Sequence, residues 1–288
     1  MLRSAFTASA ILFGLAACGG APGTTTDPLA AADAEPLDAV PVDASAAETL
    51  ASSDGGDTAS DLVADAAAKG PVTHLRGTAY TFNAPNPIVG ATIRVAELPG
   101  LVTQTDQQGE YDLAIEVTVA VQKVTPYITM PEYHTIYLQT FSLHPGDADL
   151  AHVHFQTPDE GVFYALAKIV GVDPATKVCQ VVSTVSDKVI QGMSFKEFAQ
   201  HGAHGVGGVT AMATPTLAKP IYFNSKVIPD PKLTESSDDG GILWKNVPDG
   251  EYTLSASHPT RKFATIQVTC APGRIVNANP PWGLHEIP

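Results

Sequence analysis

The stretch Asp238-Asp239-Gly240-Gly241-Ile242-Leu243-Trp244-Lys245-Asn246-Val247-Pro248-Asp249-Gly250-Glu251-Tyr252-Thr253-Leu254-Ser255-Ala256-Ser257 decides how the rest of the chain is read. Asp-Asp-Gly-Gly supplies backbone positions that tolerate positive φ. Pro248-Asp249-Gly250 is a tight-turn signal, and Tyr252-Thr253-Leu254 restarts a period-two pattern begun by Ile242 and Trp244. The whole reads as turn, strand, tight turn, strand: a hairpin. A weaker copy lies upstream at Thr103-Gln104-Thr105-Asp106-Gln107-Gln108-Gly109-Glu110-Tyr111-Asp112-Leu113-Ala114.

Working outward to the start of the chain, residues 1–17 have the form of a secretory signal. Arg3 makes a basic opening, and Ile11, Leu12 and Phe13 sit in an apolar run too short to span a bilayer as a helix. The run ends in Leu15-Ala16-Ala17-Cys18, which resembles the lipobox of bacterial lipoproteins. That resemblance implies lipidation of the Cys18 thiol and anchoring in a membrane. Gly19 after the cysteine implies an outer-membrane or cell-surface destination. An ordinary cleaved signal followed by an incidental cysteine is the alternative.

Residues 19–70 hold ten acidic side chains against Lys69 alone, a net charge of about −9 out of −14 for the chain. They contain no aromatic residue and bury too little apolar surface to offset the entropy of ordering, so a disordered tether is expected over residues 18–70. As a flexible coil it reaches on the order of 40 Å. The folded remainder is mildly acidic. With no basic face to displace counterions, nucleic acid is not an expected partner.

With Cys18 assigned to the lipid, Cys179 and Cys270 remain as an even pair in an oxidising compartment, the setting for a disulfide. Two buried free thiols are the other reading.

From Val72 the pattern becomes short strands separated by turn signals. Candidates are residues 74–80, 88–95, 102–105, 111–115, 116–124, 135–141 and 151–155, with a turn at Pro99-Gly100. Gly77-Thr78-Ala79, then Pro87-Ile88-Val89-Gly90-Ala91-Thr92-Ile93-Arg94-Val95, then Thr105-Asp106…Gly109-Glu110-Tyr111-Asp112-Leu113 resemble the carboxypeptidase regulatory-like (transthyretin-like) domain. The later order Gly207-Gly208-Val209-Thr210-Ala211 through Val247-Pro248-Asp249-Gly250-Glu251-Tyr252-Thr253-Leu254 resembles it more closely.

Between the copies, Thr157 as N-cap, Pro158 at the first helical position and Glu160 predict a helix with Val162, Phe163, Leu166, Ala167, Ile169 and Val170 on one face and Gly171 ending it. Ser194 with Glu197 predicts a second, short helix reaching about His201. The tail Pro280-Pro281-Trp282-Gly283-Leu284 is expected to stay out of any sheet interior.

The expected architecture is mainly β. Two tandem transthyretin-like or Ig-like antiparallel β-sandwiches occupy residues 71–156 and 178–288. A connecting helix and turn at residues 157–177 joins them, and one helix is inserted in the second.

Ala151-His152-Val153-His154-Phe155 is the sharpest chemical candidate, because alternate residues of a strand share a face and two imidazoles can meet one ion. It resembles the Ala-His-x-His-Phe segment of intradiol ring-cleavage dioxygenases. That resemblance implies Fe3+ held by His152, His154 and tyrosines, with Tyr137 (or Tyr133 or Tyr127) as one ligand and Tyr80 or Tyr111 as a second. Asp149-Leu150 stands where that family has Arg-Pro. The other reading is a half-exposed strand carrying two histidines.

Glu197, His201 and His204 follow at helical spacing, and Asp230, Glu235, Asp238 and Asp239 cluster around turns without a known calcium-loop spacing. No serine or cysteine nucleophile motif is present, and Gly205-Val206-Gly207-Gly208 lacks the lysine of a phosphate loop. Trp282 and Tyr222 are candidates for a stacking platform for sugars or peptides, whereas Trp244, alternating with Ile242, reads as core.

The leading expectation is a non-enzymatic cell-envelope lipoprotein that displays binding or scaffolding modules for envelope protein or carbohydrate and needs no cofactor. The iron-dependent dioxygenase is the rival.

Overall fold

The structure, a computed structural model, describes residues 70–288 apart from Asn83, Pro85, Thr176, Gly202 and Ala203. The signal segment, Cys18 and the acidic stretch up to Lys69 lie outside the described residues.

The first sandwich is built from β1 (Val72–Thr81), β2 (Thr92–Val95), β3 (Leu98–Gln104), β4 (Glu110–Glu116), β5 (Gln122–Val124), β6 (Pro126–Thr129), β7 (Ile136–Tyr137), β8 (Phe141–Leu143) and β9 (Phe155–Thr157). One layer has the order β4-β1-β9, and the other runs β3-β2-β6-β7. In β4 the period-two pattern is complete. Tyr111, Leu113 and Ile115 are buried, while Glu110, Asp112, Ala114 and Glu116 face out. Each such aliphatic side chain contributes roughly 1.5–3 kcal/mol by leaving water.

Several strands are shorter than their apolar runs suggested. The turn between β2 and β3 falls at Ala96-Glu97. Pro99-Gly100, expected as that turn, lies inside β3. This is the outer strand of its layer, where proline's missing N–H breaks no ladder bond.

Helix α1 (Glu160–Val170) follows. Its N-cap is Asp159, whose carboxylate accepts from Val162 N–H at 2.8 Å. Thr157, expected in that role, instead completes β9 opposite Thr81. Gly171 closes the helix at φ 66°, and Lys245 Nζ donates to Val170 O at 2.8 Å, placing a cation on the helix C-terminus. Ala167 and Val170 are buried against Phe223 and Leu243 of the second sandwich, whereas Ile169, expected on the buried face, is exposed.

The second sandwich comprises β10 (Cys179–Ser186), a 3₁₀ turn (Lys188–Gly192), α2 (Phe195–Gln200), β11 (Thr210–Thr214), β12 (Ile221–Phe223), β13 (Pro229–Asp230), β14 (Gly241–Val247), β15 (Gly250–Ser257), β16 (Lys262–Phe263), β17 (Ile266–Cys270), β18 (Ile275–Ala278) and β19 (Leu284–Ile287). The capping box of α2 is present as expected, with Ser194 and Glu197 bonded reciprocally.

The opening stretch forms strands where its alternation predicts them, but they do not pair with each other. β14 pairs with β10 and β12, while β15 pairs with β11 and β17 in the opposite layer. Pro248-Asp249 therefore arches between layers, and the hairpin expectation is corrected. The tail is corrected too: Leu284 opens β19, which runs parallel to β10 and antiparallel to β16.

The two sandwiches are copies at the level of hydrogen bonds. In the first, Thr105 Oγ1 donates to Ile88 O at 2.6 Å and accepts from Ala91 N–H at 2.8 Å. In the second, Ser236 Oγ donates to Val206 O at 2.6 Å and accepts from Val209 N–H at 3.0 Å. Gly109 and Gly240, at φ 74° and 76°, each accept at their carbonyl, from Ala79 and Val185 respectively. A Cβ at either would lie within 2.6 Å of that same partner's carbonyl oxygen.

The copies are not strung as beads. β7 pairs with β18 through Tyr137 and Val276, so one sheet runs β13-β12-β14-β10-β18-β7-β6-β2-β3 through both sandwiches. Tyr137 packs on the core of the second sandwich, while Ile275 and Trp282 pack on the core of the first. The shared sheet thus gives one face to each core at the join. A hydroxyl chain crosses the same seam: Thr269 to Thr140 at 2.8 Å, Thr140 to Thr125 at 2.8 Å, and Thr125 to Glu97 at 2.6 Å.

Cys179 and Cys270 are joined by a disulfide, Cα–Cα 5.6 Å, which ties β10 of one layer to β17 of the other.

Candidate functional site

β1 meets the returning chain twice, at Leu75↔Leu150 and at Ala79↔Phe155, both in parallel sense. The first strand advances four residues between these points and the second five, so one residue is extra. It is accommodated around His152, at φ 60°, with His154 N–H bonded back to His152 O at 2.9 Å. A positive φ at a residue other than glycine marks local strain, and a bulge of this kind re-aims the side chains beside it. The expected strand over residues 151–155 is therefore broken, and its alternation does not place the two imidazoles.

The bulge is held from both sides. Val153 N–H donates to Arg76 O, and the Tyr111 hydroxyl donates to Val153 O. Gly77 lies beneath that carbonyl, where any Cβ would meet Val153 O at 1.9 Å. On the other side, Asn277 and Asn279 extend from the end of β18 and donate Nδ2–H to Gln156 O and His154 O, both at 3.1 Å. Two alternate asparagines thus satisfy the carbonyls along the outer edge of β9, where a further strand is missing. Trp282 Nε1–H donates to Ala151 O at 2.7 Å. From the sequence these residues have other roles: Tyr111 is expected as an iron ligand, Trp282 as a stacking surface and Gly77 as part of a strand motif, while Asn277 and Asn279 carry no expected role.

His154 is buried among Tyr80, Phe195 and Phe198, and burial, followed by the neighbouring His152, lowers its pKa to about 3. Thr78 N–H donates to its Nδ1 at 3.0 Å. A backbone N–H can only donate, so the Nδ1 lone pair is taken and the neutral ring carries its proton on Nε2. Such a ring has no lone pair left for a metal ion.

His152, with its ring centroid 5.8 Å from that of His154, lines the same cleft of about 500 Å3 together with Arg76, Tyr111, Asp112 and Phe195. Arg76 bridges Asp112 and Asp149, which answers the Asp149 that stands where the dioxygenase pattern has arginine.

The ligand set implied for Fe3+ is not assembled. Tyr137 lies at the join of the two sandwiches, stacked on Tyr127 at 4.9 Å with the Arg274 guanidinium 4.6 Å over its ring. Tyr80 is buried and Tyr111 holds the bulge carbonyl, and burial pushes both phenols well above their ordinary pKa. Among the described residues no three His, Cys, Asp or Glu side chains converge on a metal position. Glu197 is engaged in its capping box and His201 is exposed at the end of α2.

The stacking candidates are also relocated. Tyr222 is 2 % exposed in the second core, where its hydroxyl accepts from Ala211 N–H. Trp282 is half-buried and stands edge-on to Phe141. Trp244 is core, in keeping with its alternation.

No helix among the described residues is long and apolar enough to cross a membrane. No family model matches the chain, and no curated protein does. Among solved structures it is similar to the Bacillus anthracis TIE protein, at 12 % identity and TM-score 0.24, over 73 % of this chain and 33 % of that one. It thus spans a third of that protein's length. It is also similar to GBS52, the minor pilin of Streptococcus agalactiae (9 % identity, TM-score 0.25, 75 % of this chain and 97 % of that one). The shaft pilin SpaA of Lactobacillus rhamnosus GG matches at 12 % identity and TM-score 0.21, over 72 % and 96 %. With TM-scores this low, none of these likenesses carries an argument.

Proposed function

We propose that the chain is a non-enzymatic surface module: a lipid on Cys18, an acidic tether, and a rigid double sandwich that presents a surface to an envelope protein or glycan. The observation that carries this reading is the join. Two copies of one fold share a sheet and exchange core residues, and a disulfide crosses the second copy. A body of that kind transmits position better than it supports the closure movements common in enzymes. The lipobox and the acidic tether supply attachment to the outer membrane and standoff from it. Kinship with the carboxypeptidase regulatory-like domain belongs to the same proposal and rests on the residue pattern alone.

The test is metabolic labelling of the full-length chain with a radiolabelled fatty acid. Label should enter the wild type and disappear in Cys18→Ala, with the protein moving from the membrane to the soluble fraction. Equal labelling of both would overturn the anchor. A glycan and peptide array probed with the same protein then separates the two ligand classes.

A further inference from the structure

Two clefts adjoin at the shared sheet, and α1 walls one of them. The first, of about 100 Å3, is lined by Leu166, Ala167 and Val170 of the helix and by Ile136, Leu243 and Ile275 of the shared sheet. The second, of about 230 Å3, carries Asp238, Asp239, His204 and Ser225. Phe82, Val182, Phe223 and Asn277 are walls of both, so the two form one site with an apolar end and an acidic end. No lysine or arginine lines either among the described residues.

We propose that this site binds a small amphipathic amine, with the ammonium at Asp238 and Asp239 and an apolar group of about one ring against Leu166, Ala167 and Val170. The apolar end has about two-thirds of the volume of the roughly 150 Å3 engineered cavity that takes up benzene. It is open and continuous with the acidic end, so it need not enclose a ring on all sides, and a ring or short alkyl chain lies along it with its amine among the carboxylates. Asp239 is held for the task. Its Oδ2 accepts from Gly241 N–H at 3.1 Å, its Oδ1 takes no hydrogen bond from the described residues, and the Phe223 ring packs where a Cβ on Gly241 would stand. Half-buried, that carboxyl has its pKa raised to about 6 by desolvation, with Asp238 adding to the rise. A cation at the acidic end relieves both effects, which is the charge complementarity that selects an amine over a carboxylate. Binding weakens as pH falls through about 6 and Asp239 protonates, with Asp238 and His204 lining the same end.

The experiment is calorimetric titration of the full-length chain with 2-phenylethylamine, phenylacetate and ethanolamine. The first is expected to bind, and the other two, lacking the cation or the ring, to bind about tenfold more weakly or worse. Asp239→Asn keeps an acceptor for Gly241 and should weaken the amine about tenfold, as should Asp238→Asn at its exposed position. Ala167→Leu, which fills the apolar end, should block it. Thermal unfolding of each variant shows that the fold is retained. Should Ala167→Leu fail to fold, the ligand series and the two aspartate variants decide alone. Phenylacetate binding as tightly as the amine, absence of amine binding at millimolar concentration, or full affinity in the doubly substituted aspartate variant overturns the proposal.

Discussion

Thr105 and Ser236 hold the same place in the two sandwiches. Each hydroxyl donates to one backbone carbonyl and accepts from one backbone N–H three residues further along, Ile88 and Ala91 for Thr105, Val206 and Val209 for Ser236. Each also stands opposite a glycine, Gly90 or Gly208, whose N–H donates to its carbonyl. Both side chains are about 5 % exposed. A buried hydroxyl that satisfies two main-chain groups at once replaces a missing rung of the ladder where the chain turns into β2 or β11.

Removing that hydroxyl leaves a buried donor and a buried acceptor unpaired. Ser236→Ala and Thr105→Val should each destabilise the protein by about 1–3 kcal/mol, and Thr105→Ser by much less. Urea unfolding checks this through the shift in midpoint at constant slope. Equal midpoints for Thr105→Ser and Thr105→Val would show that the hydroxyl is not what holds the turn.

Gly77 and Tyr111 make a separable pair around the Val153 carbonyl. Gly77→Ala forces a methyl into a position 1.9 Å from that oxygen, so the bulge must shift or the strand must part, at roughly 1–3 kcal/mol or more. Tyr111→Phe keeps the ring in the core and removes only the donor, at about 1 kcal/mol. Both are read by thermal unfolding. In Gly77→Ala the NMR signals of His152 and His154 should move as well. Unchanged imidazole signals in a destabilised Gly77→Ala would place the clash elsewhere.

The parts of this molecule that were legible in the sequence are those governed by near neighbours. The alternation in residues 111–115 and 242–244 named the inward side chains, Ser194 with Glu197 named a helix start, and Gly171 named a helix end. The likeness of Gly207-Gly208-Val209-Thr210 to Val89-Gly90-Ala91-Thr92 marked the repeat. Partnership was not legible. Alternation says that β14 and β15 each have an inner face, but not that they belong to opposite layers, because an arch and a hairpin share the same turn chemistry at Pro248-Asp249. The extra residue at His152 is equally silent, since it appears only when the lengths of β1 and its partner are counted between two contacts. Tyr137 looked available as a ligand because nothing local shows that the next sheet claims it.

The join predicts one cooperative unfolding event for residues 70–288. Calorimetry should give a single transition with equal calorimetric and van't Hoff enthalpies. The Cys179–Cys270 bond spans 91 residues of the second sandwich, and breaking it should destabilise the whole unit by roughly 4–5 kcal/mol in the chain-entropy account. The entire transition should therefore move down in reductant. Two resolved transitions, with only one of them sensitive to reductant, would mean that the shared sheet does not couple the sandwiches.

His154 predicts the acid side of the stability profile. Its pKa falls from an ordinary 6.5 in the unfolded chain to about 3 in the fold, because burial among aromatic rings disfavours the charged form. Between those values the unfolded state binds a proton that the native state refuses, so stability is full above pH 6.5 and declines as pH falls toward 3. The steepest loss from this one group is a little over ~1 kcal/mol per pH unit. Asp239 acts in the opposite sense. Its pKa is raised to about 6 by desolvation, so the native state holds the extra proton and gains stability as pH falls from 6 toward 3.8. The two contributions partly cancel near pH 5, and a wild-type profile alone does not separate them. His154→Gln and Asp239→Asn do, when unfolding free energy is measured from pH 8 to 3.5. The gap between wild type and His154→Gln should shrink on acidification, and in Asp239→Asn the acid decline should become steeper. A constant gap for His154→Gln across that range would mean that the imidazole is protonated in the native state, and the assignment of its proton to Nε2 alone would fall with it.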